Sequence, residues 1–332
     1  MSIPHLQIVM NAQEYIKTEL EELAKPQGLK EIKDKEELKA EIFRYLMSKK
    51  FRKYSVNPEY LEHIRGAIKL SIDKNEPIKL TLVFGGYKLW RFAESPEVDW
   101  AELFSLMYYT EWLKPICEIY KPGVWFDFFS DDEILEIMDN IPKEDTRKYA
   151  DGFKRLIDFL KHYVPVNLSF TYNRVGDQYE SYEAFKNELT ESIKNVERTL
   201  SGLPKLTDEQ EGLVDLNVRL NPGQADDPEW KEKVFLIHEG YAKLSKRRPY
   251  YRTPEKIFII TRPIPDSIAV GTTKRSIAKF WCGIGVLTKQ EGSFHTLVLS
   301  PSQVEKSEFS QENVELPGLT GKNFHSVKIL NG

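Results

Sequence analysis

Residues 77–86 read PIKLTLVFGG, and residues 123–129 read GVWFDFF. Each is a short run of β-branched, aliphatic and aromatic residues, and the first is closed by two glycines, the pattern of a strand feeding a turn. Between them, residues 99–120 carry a helical stretch. Beyond them, SDDEILEIMDN (130–140) predicts a short helix, EDTRKYADGFKRLIDFLKHY (144–163) a longer one, and PVNLSFTY (165–172) the next strand. Strands alternating with helices argue for an α/β domain whose sheet is at least partly parallel.

Upstream, the first 75 residues read as helices. Apolar positions recur at three- and four-residue spacing over 11–25, over 35–50 (Leu38, Ile42, Leu46) and from Pro58 to Leu70. No strand intervenes, so residues 1–75 are expected to form a helical extension, and 76–332 the α/β catalytic-type domain. Downstream, 181–245 reads as mostly helical, broken by the turn cluster NPGQADDPEW. The last third is rich in strand patterns: KIFIITR, DSIAVG, AKFWCGIGVL and FHTLVLS. Hairpins or an antiparallel edge are expected there, and coil with short turns from Pro301 onward.

The chain has 332 residues, 41% of them apolar and 30% charged, with 18 Gly and 18 Pro. That composition excludes low-complexity disorder and supplies enough apolar surface for a core without disulfide or metal staples. Its two cysteines, Cys117 and Cys282, sit in apolar stretches and read as small core residues. No apolar run is long enough to span a bilayer, and the first residues lack a secretory signal pattern. A cytoplasmic setting without membrane partners is the expectation. The net charge of −4 argues against general nucleic-acid binding. The stretch from Lys243 to Lys279, however, holds ten Lys/Arg against Glu255 and Asp266 alone. Such a stretch suits a small anion, or reads equally as a solvated face.

Several signatures are absent: a nucleophile elbow, a phosphate-binding P-loop, a zinc-protease motif and paired C-x-x-C. Gly283-Ile284-Gly285 starts like a dinucleotide fingerprint, but the third glycine position holds Thr288, so crowding along a strand is the better account. Asp127, Asp131, Asp132 and Glu133 form the densest carboxylate group. A hard cation is one reading, and a capping box from Ser130 to Glu133 is the stronger one. No two of the six histidines share metal-ligand spacing, so neither a metal nor any other cofactor is expected. His295, in a strand pattern, is the histidine best suited to general acid–base work, and an ordinary strand histidine is the favoured reading of it. Cations just past strand ends say more, because open α/β sheets bind ligands outside the carboxyl ends of their strands. Lys88 and Arg91 follow LTLVFGGY, Arg174 follows NLSFTYN, and Arg262 ends KIFIIT. Gathered on one rim, they would hold phosphate or carboxylate. Lys274 and Arg275, from the basic stretch, complete the substrate-binding candidates.

Over residues 78–160 the chain carries, in order, Lys88, Asp99 and Glu102 (a D-x-x-E opening a helix), Tyr120, Pro122 and Gly123 (a Tyr-x-Pro-Gly turn), then Ser130 and Asp131. It resembles, distantly, the pyoverdine/dityrosine biosynthesis family, which includes the isocyanide synthases. RRPYYRTPEKIFIITR and AKFWCGIGVL resemble that family's basic segment and its tryptophan-bearing strand. Cys282 stands here where a histidine would follow the tryptophan, and the strand near Arg262 also lacks an expected histidine. The resemblance implies a Rossmann-like fold and a reaction joining an aromatic amino acid's amine to the carbonyl of ribulose 5-phosphate, one sugar carbon becoming the isocyanide. Lys88, Arg174 and Arg262 would then bind the anions, and Asp99 or Glu102 would move protons; the same pair would otherwise serve as a helix cap. The competing expectation is a non-catalytic protein that holds a phosphate-bearing partner, nucleic acid included, through residues 243–279. A third is a chain that kept the fold and lost the chemistry.

Overall fold

The computed structural model describes residues 10–85, 95–138, 141–217, 226–247, 253–262, 264–290 and 292–331. Three helices come first: α1 (Ala12–Ala24), α2 (Lys35–Leu46) and α3 (Pro58–Lys74). Each starts on a side-chain cap from Asn11, Asp34 or Asn57, which satisfies amide hydrogens that have no partner within the helix. Their buried faces, including Ile16, Leu20, Ile42, Ile64 and Ile68, are continuous with the core beneath the main sheet.

The α/β alternation follows: β1 (Ile78–Phe84), α4 (Trp100–Ile119), β2 (Val124–Ser130), α5 (Asp132–Met138), α6 (Lys143–Leu160) and β3 (Leu168–Arg174). Then come α7 (Tyr182–Leu200), α8 (Asp208–Asn217), α9 (Trp230–Arg247), β4 (Lys256–Ile260) and β5 (Ile268–Ala269). These five strands make one parallel sheet in the order β3-β2-β1-β4-β5. The chain builds outward from β1 to β3, then returns to the other side of β1 with β4. The direction of growth therefore reverses between β1 and β4, the switch point where open sheets of this kind leave a crevice.

The remaining strands are β6 (Ile284–Gln290), β7 (Ser293–Leu299), β8 (Phe309–Asn313) and β9 (Ser326–Leu330). They form a separate mixed sheet, β7-β6-β9-β8, in which only β6 and β9 are parallel. Two expectations are corrected here. KIFIITR and DSIAVG join the parallel sheet as β4 and β5 rather than an antiparallel edge. The tail beyond Pro301 contributes β8 and β9, whose pairing depends on partners far along the chain and leaves little local periodicity.

Helix α4 explains how the two sheets are joined. It is buried on nearly every side, with Leu103, Phe104, Tyr109, Trp112 and Ile116 shielded from water. A helix apolar all round belongs in a core, and α4 packs on β2 and β3 as well as on β6 and β7. The close fit requires Gly285: a Cβ there would stand 2.2 Å from Trp100 C and Ala101 N. The glycines that begin like a cofactor fingerprint thus serve backbone approach. Trp100 Nε1 donates to Ser326 O at 2.7 Å, and Asn323 Nδ2 donates to Glu97 O and Val98 O at 3.0 and 3.2 Å. The second sheet in this way holds the start of α4, where the chain returns from the β1 end.

Candidate functional site

The carboxyl edge of the parallel sheet is built at three strand ends. On β1, Phe84 is the hub of an aromatic cluster: Phe128, Tyr172, Phe280 and Trp281 lie 6.1, 5.8, 5.5 and 5.5 Å away between ring centres. Gly85 follows, and a Cβ there would meet Leu135 and Trp281 at 3.0 and 3.2 Å, so the indole lies over the strand end. Trp281 itself sits in the turn before β6, not within a strand, which lets residues 279–282 reach across from the second sheet. Lys279 Nζ is 5.9 Å from the Trp281 ring centre.

On β2, the backbone N–H of Asp131 donates to Phe84 O at 3.0 Å, which places Asp131 at the junction of β1 and β2. Burial pushes its carboxyl up to about 7, against the opposing pull of the Lys279 charge. On β4, Thr261 is 3% exposed, and its Oγ1 has no hydrogen-bond partner among the described residues. Arg262 follows it and is exposed. With Leu82 opposite Ile259 and Phe84 opposite Ser130, the ends of β2 and β4 flank β1 and lie about 10 Å apart at ordinary strand spacing. The edge therefore offers a carboxyl group that titrates near neutrality, two cations, an aromatic wall and an unsatisfied hydroxyl.

The other sequence candidates have different surroundings. Lys88 and Arg91 lie outside the described residues. Asp99 and Glu102 form a complete capping box at the start of α4: Ala101 N donates to Asp99 Oδ1 at 2.6 Å, and Asp99 N donates to Glu102 Oε2 at 2.8 Å. Glu102 also accepts the hydroxyl of buried Tyr149 at 2.9 Å. Arg174 turns inward. Its Nε lies 3.0 Å from both Asp132 carboxylate oxygens, its Nη2 is 3.1 Å from Glu136 Oε1, and Glu133 is 3.8 Å away. Only 11% of the Arg174 side chain is exposed, so its charge is taken up by three carboxylates. Burial pushes the Asp132 carboxyl up to about 7, with the Arg174 charge pulling the other way.

The acidic group of the sequence is divided rather than pooled. Asp127 points from the middle of β2 toward Thr171 Oγ1 and Asn173 Nδ2, at 2.7 and 2.5 Å. Ser130 Oγ accepts from Asp132 N at 3.2 Å, as a cap should, but Glu133 reaches Gly176 N instead of closing the box. Among the described residues no three His, Cys, Asp or Glu side chains are placed to hold a metal ion. His295, Lys274 and Arg275 come together, but elsewhere: they line a cleft between α1, α4 and β7, and that lining includes none of Gly85, Asp131, Arg262 or Trp281. The group that sequence reasoning passed over is Lys279 with Trp281. The one signal for it was a tryptophan and a lysine beside Phe280 just ahead of a strand.

A five-stranded parallel sheet with one switch point, helices on its faces and an appended mixed sheet define a Rossmann-like α/β protein. No protein-family model matches the chain, and no curated sequence does. Among solved structures, the crystal structure of the PvcA protein from Pseudomonas aeruginosa is similar, with a TM-score of 0.55 at 18% identity, over 84% of this chain and 97% of that one. The likeness is one of fold, and the distant family resemblance read over residues 78–160 is met by it. No helix among the described residues is long and apolar enough to cross a membrane.

Proposed function

We propose that this chain is an isocyanide-synthase-like enzyme, condensing the amine of an aromatic amino acid with the ketone of a phosphorylated sugar such as ribulose 5-phosphate. The observation that carries the reading is Asp131: a carboxyl group at the carboxyl edge of the sheet, at the β1–β2 junction, raised to about 7 by burial and within electrostatic range of Lys279. The fold likeness to PvcA and the residue order over 78–160 support it.

In the first step the amine lone pair attacks the ketone carbon, and the carbonyl pair moves onto oxygen. Asp131, half protonated near neutral pH, gives its proton to that oxygen and takes one from nitrogen, then repeats the exchange so that the hydroxyl leaves as water and the nitrogen loses its second proton. Water leaves and a carbon–nitrogen double bond remains, so one amine and one ketone become one imine and one water. Arg262 and Lys279 supply positive charge for phosphate and carboxylate, with Lys88 and Arg91 as further candidates from the chain after β1. Trp281 and Phe280 wall the edge and exclude water from the imine.

The test is to incubate the purified protein with ribulose 5-phosphate and each aromatic amino acid in turn, following both substrates by mass spectrometry. Joint consumption is expected with at least one of them, and no consumption across the set rejects the activity. Asp131→Asn should lower turnover by about 100-fold or more, the scale of a lost general acid–base.

A further inference from the structure

Helices α7, α8 and α9 are built around a core of their own. Phe185 and Leu189 of α7, Val214 of α8, and Val234 and Leu244 of α9 cluster with Ile134 and Met138 of α5, and this cluster meets the parallel sheet at Phe129. Helix α5 therefore stands between the three helices and the sheet. The same short helix carries Asp132, Glu133 and Glu136.

All three carboxylates converge on Arg174 at the end of β3. Its Nε is 3.0 Å from Asp132 Oδ2, its Nη1 is 3.8 Å from Glu133 Oε1, and its Nη2 is 3.1 Å from Glu136 Oε1. The acidic side chains are 0, 6 and 6% exposed, so water screens them little, and among the described residues no second cation pairs with them. One positive charge facing three negative ones in a buried setting is costly unless the cluster also holds protons. The neighbouring elements add hydrogen bonds or further negative charge. Gly176 N, in the turn Val175–Gln178, donates to Glu133 Oε2, and a Cβ at that glycine would fall on the carboxylate. Asp177 adds its charge near Glu133, and Tyr172 on β3 lies within electrostatic range of Asp132 and Glu133. Thr146 of α6 and Tyr182 of α7 donate their hydroxyls to Glu136. Lys143 of α6 and Lys186 of α7 lie over the Tyr182 ring, at 3.7 and 5.8 Å from its centre. Helix α9 brings Tyr241 to the apolar cluster. Burial raises the Asp132 and Glu133 carboxyls, Asp132 to about 7, and Arg174 pulls both the other way.

We infer that Arg174 and the three α5 carboxylates form a proton-dependent latch that fastens α7–α9 to the parallel sheet, closed while the cluster holds its proton and loosened when rising pH removes it. The direction follows from linkage. The folded cluster keeps a proton that the unfolded chain releases in the ordinary carboxylate range, so the latch is strongest below that range and weakens as the pH rises through about 7. Asp131 immediately precedes α5, and the chain runs from α9 to β4, so loosening reaches both flanks of the sheet edge. No step of the proposed reaction enters this inference, which is independent of it.

Hydrogen–deuterium exchange of the full chain tests it, read by mass spectrometry at about pH 5.5 and about pH 8 and corrected for the intrinsic pH dependence of exchange. Protection over Tyr182–Leu200 should fall by about tenfold or more between the two, while α4 and β1 keep theirs. Asp132→Asn and Glu136→Gln each remove one charge at nearly constant shape, and each should shrink that fall by about threefold or more. Asp131→Asn should leave it as in the wild type. An equal loss of protection in α4 and β1 would be global destabilisation and would overturn the inference. So would constant protection over α7, the full wild-type fall in both cluster variants, or its disappearance in Asp131→Asn. Should neither cluster variant fold, the comparison of α7 with α4 and β1 in the wild-type chain decides alone.

Discussion

Asp131 shows how one residue acquires chemistry that its type does not confer. In sequence it is one of four neighbouring acids; in the fold its backbone joins β2 to Phe84 of β1, and its buried carboxyl lies within electrostatic range of Lys279. Its raised value has a consequence for stability. Between the ordinary aspartate range and about 7 the native state holds a proton that the unfolded chain has released, so raising the pH through that window lowers stability. Asp132 titrates over the same window. In Asp131→Asn the fall in melting temperature from pH 4 to pH 7.5 should therefore be smaller than in the wild type, a comparison made by scanning calorimetry. An unchanged slope would show that Asp131 is ionised in the folded protein throughout. Phe84 is the second residue of note, since rings from β2, β3, α6 and the turn before β6 meet it. Phe84→Ala should cost about 3–5 kcal/mol in urea denaturation, against well under 1 kcal/mol expected of a surface aromatic.

Arg174 ties β3 to α5 at the element scale. Its guanidinium neutralises Asp132, Glu133 and Glu136, and Glu136 in turn accepts the hydroxyls of Thr146 on α6 and Tyr182 on α7. Removing the arginine strands three buried carboxylates, so Arg174→Met should destabilise by about 3–5 kcal/mol, measured by denaturant unfolding. Because that charge is already used internally, the affinity of an active variant for sugar phosphate should change little. Gly285 plays the corresponding role between α4 and β6. Gly285→Ala would force a Cβ against the backbone of Trp100 and Ala101, and a cost of about 1–3 kcal/mol is expected from overpacking, read as a lowered denaturation midpoint. Elements with strong local signals were legible beforehand: β1, β2, β3 and α4 follow their residue patterns closely. β8 and β9 were not, because SQEN and SVK carry little apolar alternation and form strands only through each other and β6.

The whole molecule separates what the chain order suggests should be together. The described basic residues from Lys243 to Lys279 are spread over α9, both ends of β4, the cleft of Lys274 and Arg275, and the turn before β6. Among them, Lys256 is half-buried over the Trp125 ring, and burial lowers its ammonium. Binding of a random oligonucleotide should accordingly be weak at physiological salt, and filter binding across a salt series checks this; a steep salt slope with tight binding would favour the nucleic-acid reading. Conversely, the fold joins what the chain keeps apart: Gly85, Asp131, Arg262 and Trp281 come from four segments and share one edge. The sequence by itself determined the alternation of strand and helix and the helical start, because periodicity acts within a few residues, whereas the capping of α4 by Asp99 and Glu102 was one of two readings it left open. Only the tertiary structure decided that Arg174 is spent on carboxylates, that His295 lines a second cleft and that the Asp131 carboxyl is buried within electrostatic range of Lys279. Those outcomes depend on strand order and on burial, and both arise from contacts between residues distant along the chain.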